Sequence, residues 1–209
     1  IRDVDALVQV DGLIGTASHG FNHLYDRSAA LVRSSGKMAR PRRQACPCRI
    51  GVIDTGVAGT LPDLKRTRLV QQPFNGGQPD PALHGTVISS LIAGTEPAPG
   101  IRTEILVGDV FSGARRTAGS ALAVVRALDW LAASKVAVIN VSLSGAANPV
   151  VADAINRLLA RGHVIVAAAG NDGPAAPPAF PAAYPGVVAV TAVDENLGVY
   201  RYANRGSYI

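Results

Sequence analysis

Residues 49–209 predict an α/β fold, a doubly wound parallel sheet with helices on both faces. Two observations carry this. Six short runs are near-continuously apolar and rich in Val and Ile: Arg49–Asp54, Arg68–Gln71, Glu104–Val110, Val136–Ser142, His163–Ala168 and Val187–Val193. Parallel strands covered on both faces read this way. Helical segments lie between the runs, and strand–helix–strand repetition gives right-handed crossovers. The composition agrees. Of 209 residues, 48% are hydrophobic and 17% charged, enough apolar mass for one domain with a sizeable core and too much for a disordered chain. The 22 Gly and 14 Pro suit many tight loops. No run nears the roughly 18 apolar residues of a membrane span.

Residues 1–48 read differently, as an N-terminal extension ending in a basic linker. They hold two weakly apolar stretches, Val4–Ile14 and Leu24–Val32, and then the polar run SSGKMARPRRQ. Seven basic residues and no acid lie between Arg27 and Arg49, so the net charge of +5 belongs to this segment; elsewhere 13 basic residues meet 15 acidic ones. No aromatics interleave with those charges as a stacking surface would want. A solvated linker is therefore expected, with neither nucleic acid nor membrane as partner. The opening IRDVDALVQV lacks a basic n-region and apolar h-region, so no signal peptide is read in this sequence. Cys46 and Cys48 flank Pro47, too close for easy mutual bridging. With His19 and His23 they offer zinc-type ligands, but the order does not match a finger, and no metal is expected.

The helices follow from caps and periodicity. Ser120 can cap Ala121–Ala133, where Leu122, Val125, Leu128 and Leu131 recur at three- and four-residue steps. Asn148-Pro149 opens a second helix that Gly162 closes, with Val150, Ala154, Leu158 and Leu159 or Ala160 as its buried stripe. In such sheets functional groups gather at the carboxyl ends of strands.

Three strand-end or helix-start positions carry chemistry. Asp54 ends the first strand in Ile53-Asp54-Thr55-Gly56, a positioned carboxylate whose plain alternative is a loop cap. An aspartic-protease reading of D-T-G fails, because that fold is all-β and uses two such turns, while this chain has one. His84-Gly85-Thr86 follows a Pro- and Gly-rich loop and starts an apolar helix. A helix-capping His is the plain alternative there. Asn171, after the small residues Ala167–Gly170, offers an amide donor suited to an oxyanion, though Asn-Asp-Gly also makes a simple turn.

Together and in this order the segments resemble the subtilisin-like serine proteases, the subtilases of the peptidase S8 family. Ile50–Gly56 is similar to the family's Asp motif and His84-Gly85-Thr86 to its His motif. Ala98-Pro99-Gly100 before Ile105–Val110 resembles the loop leading to the next strand. Val138–Gly145 resembles the substrate-pairing segment, Ala168-Ala169-Gly170-Asn171 the oxyanion motif, and Phe180–Pro185 the aromatic-Pro-Ala-x-Tyr-Pro stretch. The resemblance implies a serine endopeptidase, secreted or in the cell envelope, acting on peptides or proteins without a cofactor. His84 would be general base and acid, Asp54 its orienting carboxylate, and Asn171 an oxyanion donor. Ala118, Gly119 and Ser120 and Ser142, Leu143 and Ser144 would flank the substrate strand. Ala179 would floor the S1 pocket, with Ala168, Ala169 and Gly170 beside Ser142–Ser144 as walls. Phe180–Pro181 is expected in cis.

Four departures stand out. The family's G-T-S-x-A-x-P nucleophile motif does not occur in the 209 residues. The core is therefore expected to be incomplete at its C-terminal end, inactive alone, and exposed on a face that a C-terminal segment or partner chain would cover. A subtilase-like module that only binds peptides is the competing expectation. Val87 and Ser90 replace a His and a Gly of the His motif, Ser144 stands where Gly is usual, and the short span after Gly94 lacks the family's calcium-holding insertion, so no metal is expected there.

Overall fold

The computed structural model describes residues 7–10, 18–21, 24–27, 49–65, 67–94, 103–113, 118–194 and 197–209. Three short strands come first: β1 (Leu7–Val10), β2 (Ser18–Phe21) and β3 (Leu24–Arg27). Then follow β4 (Arg49–Asp54), α1 (Pro62–Lys65), β5 (Arg68–Pro73), α2 (Leu83–Ala93), β6 (Glu104–Asp109), β7 (Gly119–Ser120) and α3 (Ala121–Ala133). The chain continues through β8 (Val138–Val141), β9 (Leu143–Gly145), α4 (Pro149–Ala160), β10 (Val164–Ala168) and β11 (Val188–Val190). His23, Cys46, Cys48, most of the basic 27–49 segment and residues 95–102 lie outside the described residues.

The central sheet is parallel, in the order β11-β10-β8-β4-β6-β5. All six expected strands are in it, with ends shifted by a few residues. The chain builds to one side of β4 through β5 and β6, then crosses to β8, β10 and β11 on the other. The carboxyl end of β4, which carries Asp54, therefore lies at the topological switch point, where such sheets bind ligands.

Each face of the sheet has its own core. Ile53, Ile139 and Ile165 pack with the buried sides of α3 and α4, while Val52, Ile105 and Val107 pack with Val57, Leu64 and the apolar side of α2. The contact between α3 and β4 is close: a Cβ on Gly51 would meet Leu131 Cδ1 at 2.9 Å. Both caps form as expected. Ser120 Oγ accepts from Ala123 N–H at 3.2 Å, Asn148 Oδ1 accepts from Val150 and Val151 N–H at 3.0 and 3.1 Å, and Gly162 turns out of α4 at φ 86°. The stripes need correction. On α3, Leu122 is only partly buried, and Ala121, Val124, Val125, Leu128 and Leu131 face inward. On α4, Ala160 is exposed and Leu159 only partly buried; Val151 and Ile155 complete the inner face with Val150, Ala154 and Leu158. Small residues widened each buried arc beyond the large apolar positions.

The N-terminal strands divide. β1 and β2 form an antiparallel pair, and β2 lies against α4. β3 is the middle strand of an antiparallel sheet, β7-β3-β9, at the edge of the core.

Candidate active site

The site begins with a buried carboxylate. Asp54 is fully buried, and its Oδ1 accepts from Thr55 N–H at 2.6 Å and lies 2.6 Å from His84 Nδ1. Oδ2 is buried with no hydrogen-bond partner among the described residues. A carboxylate on Nδ1 fixes the tautomer that carries the proton there and leaves the lone pair on Nε2. The His84 side chain is 10% exposed, so the ring is shielded but not sealed.

Local sequence explains why this pair meets. His84 is the second residue of α2, and the Thr-Gly that follows Asp54 docks the start of that helix. Thr55 Oγ1 accepts from Gly85 N–H at 3.0 Å, and a Cβ on Gly85 would lie 2.4 Å from the Thr55 carbonyl oxygen, so only glycine lets the helix sit on this turn. Thr86 Oγ1 accepts from Ala58 N–H at 2.9 Å and donates to the Ala82 carbonyl at 2.7 Å. Gln71 braces the same turn, accepting from Val57 N–H at 2.7 Å and donating to the Val57 carbonyl at 2.8 Å. Ser90 donates to Asp63 at 2.9 Å, tying α2 to α1.

Asn171 follows β10 on a loop that two residues missed in the sequence hold in shape. Asn204 is buried; its N–H donates to the Gly170 carbonyl at 3.1 Å, and its Oδ1 accepts from Asp172 N–H at 2.8 Å. Tyr208 donates to the Ala169 carbonyl at 2.9 Å. No spacing rule marks such distant loop braces. Ala168, Ala169, Gly170 and Asn171 line a cavity of about 250 Å³ with Ile88, Asn140, Ser142 and residues of β10 and β11. Ala179 is buried against Gly170 but does not line that cavity. Leu143 is fully buried in the main core. The Phe180–Pro181 bond is cis, as expected.

Gly119–Ser120 and Leu143–Gly145 do flank an extended strand, and it is the chain's own. Tyr25 is registered with Gly119 on one side and Gly145 on the other. Gly145 uses its N–H and carbonyl on Phe180, at 2.9 and 3.0 Å. The antiparallel alternation therefore makes Asp26 and Ser144 the mutually hydrogen-bonded pair. Ala118 and Ser142 are buried at the groove's edges, Ser142 Oγ accepting from Asn140 Nδ2 at 2.6 Å.

The subtilase family model matches residues 48–209. The chain belongs to the subtilase family. Among curated relatives it is similar to subtilisin DY of Bacillus licheniformis, 29% identical over 76% of this chain and 61% of that protein. It is also similar to a thermophilic serine proteinase of Bacillus sp. (strain AK1), 34% identical over 77% of this chain and 42% of that protein. A solved structure of a psychrophilic subtilisin-like protease from the Antarctic psychrotroph Pseudoalteromonas sp. AS-11 superposes with a TM-score of 0.66 at 25% identity, covering 78% of this chain and 40% of that one. The chain thus spans about two fifths to three fifths of the length of these relatives.

In this subtilase a second buried carboxyl, Asp109, ends β6 in register with Asp54. It accepts from Asp80 N–H at 2.7 Å and Phe111 N–H at 3.0 Å, pinning the loop that leads to His84. Burial pushes its pKa up from the ordinary 3.8, and the Asp80 charge adds to this, against the lowering effect of its hydrogen bonds. A raised folded value means that the stability this group contributes is full below 3.8 and is lost as pH rises through the folded value. Urea unfolding from pH 4 upward should therefore show the wild type losing stability relative to Asp109→Asn as the pH rises above 3.8. A difference that is flat, or that moves the other way, contradicts this assignment.

Proposed function

We propose that this subtilase is the acid–base and oxyanion part of a serine endopeptidase that cleaves peptide bonds by acyl transfer. The observation that carries the reading is the 2.6 Å contact between buried Asp54 and His84 Nδ1 at the sheet's switch point. His84 Nε2 takes the proton of a serine hydroxyl as its oxygen attacks the scissile carbonyl. Asn171 donates to the oxyanion, and His84 then protonates the departing amine; water repeats the sequence on the acyl-enzyme. Asp54 stabilises the imidazolium without taking its proton. A peptide-binding module has no need of this carboxylate–imidazole pair, which favours the enzyme.

The serine belongs to the G-T-S-x-A-x-P motif that the family resemblance implies, outside these 209 residues. The 250 Å³ cavity between α2 and the β8–β10–β11 face supports a seat for a segment bearing it, from the same polypeptide or from a partner chain. Leu83, Val87, Leu91, Val188 and Val190, 42–79% exposed around that face, are apolar surface that such a segment would cover. Residues 1–48 are read as an extension preceding the core of 49–209, and secretion or cell-envelope placement is favoured by relatives such as the minor extracellular protease Epr of Bacillus subtilis.

The S1 walls, Ser142–Ser144 and Ala168–Gly170, and the floor Ala179 carry no charge. Burying a Phe or Leu side chain there contributes roughly 1.5–3 kcal/mol, while a Lys or Arg has no carboxylate to offset its desolvation. Matched peptides with Phe, Leu, Ala, Arg or Glu at P1, assayed on the protein with its serine motif, should show a ten- to hundredfold preference for Phe and Leu over Arg. Arg as the best P1 residue would sink this specificity.

A further inference from the structure

Two peptide planes meet at the Cα of Asn171, and one distant residue holds both. The first plane carries the Gly170 carbonyl, the second the Asp172 N–H. Asn204 N–H donates to that carbonyl at 3.1 Å, and Asn204 Oδ1 accepts from that N–H at 2.8 Å. Peptide units are planar, so fixing two successive planes fixes φ and ψ of the residue between them. With these angles set, the direction in which the Asn171 side chain leaves the backbone is set as well. The hold continues on either side. Gly173 N–H donates to the Tyr202 carbonyl at 2.9 Å, and the Tyr208 hydroxyl donates to the Ala169 carbonyl at 2.9 Å.

The Asn204 amide is poorly placed for stability alone. Asn204 is 1% exposed, and with Oδ1 turned to Asp172 its Nδ2 lies against Gly170, where a Cβ would be 2.5 Å away. Gly170, at φ 102°, leaves room for that approach. Nδ2 is buried with no hydrogen-bond partner among the described residues. The reversed amide would set its NH₂ against the Asp172 N–H, so the orientation is decided by the loop. A buried donor without a partner weakens a fold. Removing the amide would therefore take away one bond and one unmet donor, effects of opposite sign on stability. Its effect on the Asn171 backbone has no such offset.

We propose that Asn204 is the positioning residue of the oxyanion site: its side-chain amide locks the backbone of Asn171 and so aims the Asn171 amide at the developing charge, without itself touching substrate. This rests on the reading of Asn171 as the oxyanion donor, and adds what aims it. An oxyanion donor removed outright costs on the order of 10²–10³ in turnover. A donor that is present but misaimed keeps part of that effect. The aim matters only as charge develops on the carbonyl oxygen, so the loss belongs to kcat rather than KM.

A double-mutant cycle tests it. The protein with its serine motif is assayed on one peptide amide as wild type, Asn204→Ala, Asn171→Ala and the double variant. Asn204→Ala should lower kcat about tenfold or more while KM stays within about twofold. In the Asn171→Ala background the same change should cost less than about twofold, because no donor remains to be aimed. A purely structural support would cost the same in both backgrounds. The proposal is overturned by an Asn204→Ala kcat within twofold of the wild type, by a loss that falls on KM, or by a loss that persists undiminished without Asn171. If Asn204→Ala does not fold, Asn204→Ser, which keeps a polar atom in the site but lacks Oδ1, takes its place in the cycle and decides by the same criteria. The peptidase reading is separable. Hydrolysis that depends on His84 but not on Asn204 sinks only the positioning, whereas a wild type without hydrolysis sinks the peptidase and the positioning with it.

Discussion

Asp54→Asn should lower kcat/KM of the serine-bearing protein about 10⁴-fold, the size of the same exchange in the serine-protease triad of general experience. Asp54 Oδ1 holds both Thr55 N–H and His84 Nδ1 at 2.6 Å. An amide keeps the shape but removes the charge, and its NH₂ can donate to Nδ1. That moves the imidazole proton to Nε2, the nitrogen that must accept the serine proton. The charge that would stabilise the imidazolium is lost as well. KM should change little, because Asp54 is fully buried and touches no substrate. A loss below tenfold would mean that the pair is structural.

Gly85→Ala should be the most damaging single methyl in the site. Its Cβ would sit 2.4 Å from the Thr55 carbonyl oxygen, 2.7 Å from Thr55 Oγ1 and 3.2 Å from Asp54 Oδ1, two of them fixed groups of the Asp turn. The helix start must back away, which breaks the 3.0 Å bond from Gly85 N–H to Thr55 and stretches the Asp54–His84 contact. Overpacking of this kind costs about 1–3 kcal/mol of stability. Displacement of about 1 Å at the reacting groups costs on the order of 10² in rate. Urea midpoints and turnover should both fall; a variant with wild-type turnover would show that the turn does not position His84.

Much of this was legible in the sequence, for physical reasons. Parallel strands such as Arg49–Asp54 are covered on both faces, so their apolar runs stand out, and the caps Ser120 and Asn148 mark helix starts by local chemistry alone. Asp54 and His84 were found because strand ends and helix starts are where such sheets place function. The supports were not legible. Asn204, Tyr208 and Asp109 act through backbone groups far away in sequence, and nothing in their neighbours signals it. Residues 24–27 stand in the sequence only as the start of a weakly apolar stretch, Leu24–Val32. Nothing local marks them as a strand until their partners, Gly119 and Gly145, are brought together by the core.

The most direct test of the central claim is active-site labelling. The protein expressed with the coding sequence that flanks these residues is treated with a fluorophosphonate probe, the adduct is located by mass spectrometry, and the labelling rate is compared with that of His84→Ala. The account predicts one serine, outside the 209 residues, labelled at a rate that falls by several orders of magnitude without His84. No labelling of the wild type, or labelling unchanged by His84→Ala, would contradict it.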